Sequence, residues 1–188
     1  MAKVVKTYAI ANFPYLDVKF IHNLNHARTN TLYSLALVSK SVPNGYAVLQ
    51  LNGDVIFDNR VLSKLFNTDK ENSYAVARYG KCGTEEIKIL LNRKGSIAAI
   101  NKQISPKNSL SEAVGINKFS PDFWRALSKN SRELKLKRRN DYFEYAVEKT
   151  IADGYKIFPM DIERFKAVEI DFPKDLKLAR KKFKNYIS

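Results

Sequence analysis

The chain has 188 residues, 45% of them hydrophobic, which is enough for one globular domain with a sizeable core and too few for two ordinary ones. With 33 Lys and Arg against 19 Asp and Glu it carries a formal charge of +14, which draws in nucleic acid, an anionic surface or a nucleoside triphosphate without choosing among them. No run approaches the apolar length of a membrane span, the start lacks a signal peptide's apolar stretch, and Cys82 alone excludes an intramolecular disulfide or a C-x-x-C pair.

These exclusions predict a single cytoplasmic domain over residues 1–188. In chain order, the first dozen residues read as the tail of a helix, followed after Pro14 by a short strand at Val18–His22 and a loop, NLNHARTN. Leu32, Leu35, Leu37 and Val38 recur at helical spacing within Thr31–Val42, with Asn30 placed to cap the helix. Tyr46–Leu51 (YAVLQL) is a nearly unbroken apolar run between Asn-Gly and Asn-Gly-Asp, the pattern of a central parallel strand covered on both faces. A short helix to Phe66 and a strand at Tyr74–Tyr79 come next. Ile87–Leu91 and Ile97–Ile100 then form a hairpin across Arg93, Lys94 and Gly95. Ala113–Phe119 reads as a strand, Pro121–Ser128 and Tyr142–Asp153 as helices, the second closed by Gly154. Tyr155–Pro159 and Ala167–Ile170 are strand-like, and Pro173–Tyr186 is an amphipathic helix with a basic last turn. The whole is an α/β pattern.

In open α/β sheets, ligands sit beyond the carboxyl ends of the strands, which directs attention to Asn52, Gly53 and Asp54 after YAVLQL. Glycine there permits a tight turn and close approach of a phosphate, and Asp54 offers the hard oxygen that Mg2+ prefers; a plain Asn-Gly-Asp turn is the competing explanation. Asp171 stands in the same situation after the strand Ala167–Ile170, either as a second metal ligand or as the N-cap of the Pro173 helix. His22 and His26 span a predicted strand end and a loop, so they do not form a helical metal-binding face.

Five segments together resemble a known family: TNTLYSL from Thr29, LQLNGDVIFD, AVGINKFS, Asn140-Asp141 before YFEYAVE, and VEIDFPKDL. In this order and spacing they are similar to the nucleotidyltransferases that make CDP-choline, CDP-inositol phosphate and related activated compounds. The resemblance implies a nucleotide-sugar pyrophosphorylase-like fold, α/β with a mixed, mostly parallel sheet flanked by helices. It implies cytidylyl transfer, with CTP as the favoured donor, to phosphocholine, inositol phosphate or a sugar phosphate, and loss of pyrophosphate. By that resemblance Asp54 and Asp171 hold Mg2+, with Glu169 beside them, and Lys102 neutralises the acceptor phosphate. Asn30, Tyr33, Asn52, Gly53, Asn140, Asp141 and Glu144 fall at positions that contact substrate. The attacking phosphate is already an anion, so such chemistry depends on positioning and charge neutralisation rather than on a general base.

The family's glycine-rich G-x-G-x-R turn, which grips the triphosphate, has no counterpart in the sequence. The expectation is a nucleotidyltransferase-like domain without its first two strand–helix units, leaving strand edges open for a second copy or a complementing chain. A non-catalytic ligand- or protein-binding relative and a basic nucleic-acid-binding protein are the alternatives, the last supported by charge but by no recognised motif.

Overall fold

The computed structural model describes residues 2–43, 45–77 and 86–184. Cys82 and the predicted ends at Tyr79 and Tyr186 lie outside them. Six strands make the main sheet: β1 (Val48–Leu51), β3 (Ser73–Ala77), β4 (Lys88–Leu91), β5 (Ile97–Asn101), β6 (Ser111–Phe119) and β7 (Phe158–Asp161). Their path is β5-β4-β6-β3-β7, with β1 added to β6. β6 runs antiparallel to β1, β3 and β4, and β5 antiparallel to β4, so β1, β3, β4 and β7 share one direction against β5 and β6. The sheet is mixed, as predicted. A small second sheet pairs β2 (Val55–Phe57), which the sequence patterns did not reveal, with β8 (Ala167–Glu169).

β3 explains the layering. Alternate side chains of a strand point to opposite faces, and all five residues of Ser73–Ala77 are buried because both faces are covered. Tyr74 and Val76 enter a core shared with Leu32 of α2 (Thr31–Val38), Phe123 and Leu127 of α4 (Pro121–Leu134), and Val147 of α5 (Glu144–Ala152). Ala75 faces the other way, onto Val61 and Leu65 of α3 (Arg60–Asn67). α6 (Pro173–Lys182) packs with Val168 of β8 through Ala179, together with Phe183 just beyond the helix. The helix starts follow their local chemistry. Asn30 accepts a hydrogen bond from the Thr31 amide at 2.7 Å, Ser120 accepts one from Phe123, and Asp58 accepts from the Arg60 amide as α3 begins.

Three expectations change. β1 is not a central parallel strand: it pairs antiparallel with β6 alone, is only half-buried, and has an outer edge without a strand partner among the described residues. The Val18–His22 strand does not form. Those residues have no regular secondary structure, and Val18, Phe20 and Ile21 are exposed, because an extended segment becomes a strand only where a neighbour completes its ladder. They follow α1 (Ala2–Asn12), which buries no residue. Finally, β7 starts three residues later than the predicted Tyr155 strand, since Tyr155 and Ile157 are used to cover the α4–α5 core.

One irregularity shapes the sheet beside the strand ends. The β3–β6 register slips between Tyr74, opposite Asn117, and Val76, opposite Ala113, forming a bulge around Gly115. Gly115 has φ +69°, and a Cβ on it would lie 2.4 Å from the Asn52 side chain. The glycine requirement at this turn therefore sits at Gly115 rather than at Gly53, where an added Cβ would meet nothing. Gly115→Ala is expected to lower the denaturation free energy by about 2 kcal/mol or more in urea titrations, from left-handed strain plus displacement of Asn52. Gly53→Ala is expected to leave it nearly unchanged.

Candidate active site

The β1–β2 turn and the end of β8 are stitched together. Asn52 donates its amide to the Gly115 carbonyl at 2.8 Å, and Ile170 donates to the Asp54 carbonyl at 2.8 Å. This brings Asp54, Glu169 and Asp171 into one group, each offering a carboxylate oxygen within 4.8 Å of the others. Asp171 is not the cap of α6. The N-cap is Phe172, whose amide donates to the carboxylate of Asp175 in the first turn at 2.8 Å, so the Asp171 side chain remains available to the group.

Like charges this close oppose one another. Glu169 is pushed up to about 7, first by desolvation in the cleft wall and then by Asp171 and Asp54. A divalent cation bound by hard oxygens would relieve that repulsion, and a set of three carboxylates that solvent can reach suits Mg2+. These three residues therefore fit the metal that the resemblance implies.

The group opens onto a cavity of about 720 Å³, which four further carboxylates line: Glu86 ahead of β4, Glu112 on β6, Glu144 at the start of α5 and Asp175 in the first turn of α6. Lys102, immediately after β5, also lines it, and its ammonium lies 4.7 Å from the centre of the Tyr142 ring. Ile87, Lys102, Tyr142 and Glu144 continue into an adjoining cavity of about 370 Å³ reached by Asn140 and Asp141.

Glu144 is the most unusual group present. Only 6% exposed, it accepts a hydrogen bond from the Tyr74 hydroxyl at 2.9 Å through Oε1, while Oε2 has no partner. Burial pushes its carboxyl up to about 7 and holds the Tyr74 phenol well above its ordinary range, so Tyr74 stays a donor. Beneath the cavity floor, Asn117 donates to Gln50 and Gln50 donates to Asn52 at 3.0 Å, a polar line running back to the Asn52 turn.

The structure thus gathers Asn52, Asp54, Lys102, Glu144, Glu169 and Asp171 around one cavity, with Asn140 and Asp141 beside it. Gly53 lies in the turn but does not line the cavity. Asn30 and Tyr33 are placed elsewhere. Asn30 caps α2 and donates its amide to the Arg139 carbonyl, and the Tyr33 hydroxyl accepts from Asn25 while Lys135 lies over its ring. Their neighbour Thr31 reaches the cavity instead. Tyr74, Glu86 and Glu112 were not singled out from sequence. Each is an ordinary residue in or beside a strand, and no local pattern marks it.

Among the described residues no helix is long and apolar enough to cross a membrane. No family model matches the chain. Solved structures do resemble it. The inositol-1-phosphate CTP transferase from T. maritima superposes over 98% of this chain and 74% of its own length, with a TM-score of 0.74 at 16% identity. The CTP:phosphocholine cytidylyltransferase from Streptococcus pneumoniae superposes over 96% and 74%, with a TM-score of 0.69 at 16% identity. A Bacillus anthracis protein assigned as a glucose-1-phosphate thymidylyltransferase gives 97%, 71% and 0.68 at 15% identity. The chain therefore has the mixed α/β fold of the nucleotidyltransferases, with its strand-end carboxylates facing a cavity.

Proposed function

We propose that this chain carries the metal and acceptor sites of a nucleotidyltransferase that moves a nucleotidyl group, cytidylyl by preference, from a nucleoside triphosphate to a phosphorylated small molecule. The convergence of Asp54, Glu169 and Asp171 beside Lys102 carries this reading. An oxygen of the acceptor phosphate forms the new bond to the α-phosphorus, the bond from that phosphorus to the bridging oxygen breaks, and pyrophosphate leaves with the electron pair. Mg2+ held by Asp54, Glu169 and Asp171 would supply charge neutralisation at the phosphates when bound. The chain's own groups position. Lys102 presents an ammonium to the acceptor phosphate, Tyr74 fixes the Glu144 carboxyl at the cavity wall, and the Gly115 bulge holds the Asn52 turn against β6. Seven carboxylates, counting Asp175, against Lys102, Lys174 and Lys182 make this cavity acidic on a basic chain, which disfavours a nucleic-acid strand as its occupant.

Pyrophosphate release tests the reading directly. The chain is incubated with each common nucleoside triphosphate, phosphocholine, inositol phosphate or glucose 1-phosphate, and Mg2+. It is assayed alone and with an added polypeptide supplying a glycine-rich triphosphate-binding segment. Release that chelation stops is the expected result, at least in the complemented mixture. Ligand binding without release under every combination would overturn catalysis and leave a binding module.

A further inference from the structure

The cavity is acidic, so the excess positive charge of this chain lies elsewhere, and part of it gathers on two neighbouring turns beside the start of α2. One turn precedes the helix and holds Leu24 and Arg28; the other follows α4 and reads Lys135-Leu136-Lys137-Arg138-Arg139. Three contacts bring them together. The Asn30 amide donates to the Arg139 carbonyl at 2.7 Å, the Tyr33 hydroxyl accepts from Asn25 at 3.1 Å, and the Lys135 ammonium lies 5.2 Å from the centre of the Tyr33 ring. Neither turn contains an acidic residue, and among the described residues no ion pair takes up Arg28, Lys137 or Arg139. Each turn also presents a leucine to solvent: Leu24 is 81% and Leu136 76% exposed. The dipole of α4 accounts for a cation in its last turn, Arg132, but its influence falls off within that turn and does not reach Lys137 or Arg139.

We infer that these two turns form a docking surface for an anionic lipid bilayer, in which Arg28, Lys135, Lys137, Arg138 and Arg139 meet the headgroups and Leu24 and Leu136 enter the apolar boundary beneath them. Clusters of about four to eight Lys and Arg are drawn to anionic headgroups, and apolar side chains among them strengthen binding by burying in the interface. The pairing of charge with leucine decides between a bilayer and a nucleic acid. A phosphodiester strand attracts cations but offers nothing that buries a leucine, and sequence-tolerant strand binding uses open aromatic faces on which bases stack. The rings beside these turns are already occupied: Lys135 lies over Tyr33, and the Arg138 guanidinium lies 4.6 Å from the centre of the Tyr145 ring. Arg138 also borders the smaller cavity, so docking sets that cavity next to the bilayer surface. Docking does not depend on nucleotidyl transfer, because neither leucine lines either cavity.

Flotation of the full chain with phosphatidylcholine vesicles, and with vesicles that mix phosphatidylcholine equally with phosphatidylglycerol, tests the surface. The chain is expected to float with the mixed vesicles only. Leu24→Ser combined with Leu136→Ser keeps every charge and is expected to weaken that binding about tenfold. Lys137→Glu combined with Arg139→Glu is expected to weaken it about tenfold or more. The same charge reversal at Arg93 and Lys94, in the exposed hairpin turn at the opposite end of β4 and β5 from Lys102, is the positional control and should weaken binding less. All the substituted side chains are exposed, so the fold should persist, which circular dichroism checks. Undiminished binding of the double leucine variant would show attraction by net charge alone and overturn the docking surface, as would equal losses from the two charge reversals. Absence of binding to the mixed vesicles would overturn it outright. Binding to an RNA or DNA strand that exceeds vesicle binding, falls when Lys137 and Arg139 are reversed and ignores the leucines would assign the turns to nucleic acid and equally overturn it. Pyrophosphate release is read separately: vesicle docking by a chain that never releases pyrophosphate leaves this surface standing and removes only the transferase reading.

Discussion

Asp54→Ala is expected to reduce Mg2+-dependent pyrophosphate release by roughly 10²-fold or more, the scale seen when one preorganised charge-stabilising group is removed from a phosphate or acyl site. The substitution removes one of three clustered oxygens while keeping the Asp54 carbonyl, which accepts from Ile170 and ties the two carboxylate-bearing segments together. Urea stability should therefore change little. A second readout separates this role from a merely structural one. Asp54 is among the charges that raise Glu169 to about 7, after desolvation and Asp171, so Asp54→Ala should move Glu169 back toward its ordinary value in a titration followed by nuclear magnetic resonance. Lost activity with no movement of Glu169 would show that the three carboxylates do not act as one group. Asp171→Ala is the companion variant, and it should move Glu169 further because Asp171 is the larger of the two contributions.

Glu144→Gln is expected to flatten the dependence of stability on pH. In the folded chain Glu144 is raised from 4.5 to about 7, so the native state holds its proton more tightly than the unfolded chain does. The stabilisation from that proton is fully present below 4.5 and is lost as pH rises through 7. At about 1.4 kcal/mol per pH unit, the whole change is about 3 kcal/mol between pH 4.5 and 8. Urea denaturation at pH 5 and pH 8 measures it. On going from pH 5 to pH 8 the original chain should lose most of that amount in excess of what Glu144→Gln loses, since the variant keeps the shape without the charge while Glu169, also raised to about 7, contributes the same loss to both. Equal losses in both proteins would show that Glu144 is not the titrating group. Tyr74→Phe acts in the opposite sense. It removes the hydrogen bond that favours the charged form and should sharpen the loss at pH 8.

The sequence by itself determined many of the local elements and pointed to several of the residues proposed for the site. Helical periodicity with Asn30 as cap fixed the start of α2, Gly95 marked the β4–β5 hairpin and Gly154 the end of α5, because each depends on neighbours a few residues away. Asp54 and Asp171 were legible because strand ends in α/β sheets are where ligands bind, and the segments around them resembled a family whose fold the solved structures share. What only the tertiary structure decided depends on contacts distant in sequence. YAVLQL has the composition of a covered central strand, but whether it is central depends on which strands lie beside it, and only β6 does. The Val18–His22 run has strand composition, yet composition cannot supply the missing neighbour. Glycine at 53 drew attention through its Asn-Gly-Asp setting, whereas the backbone demand falls on Gly115, which faces Asn52 across the β1–β6 ladder. The acidic wall of Glu86, Glu112 and Glu144, and the Tyr74 hydroxyl that holds Glu144 from 70 residues away, carry no local signature because their proximity exists only once β3, β6 and α5 have packed.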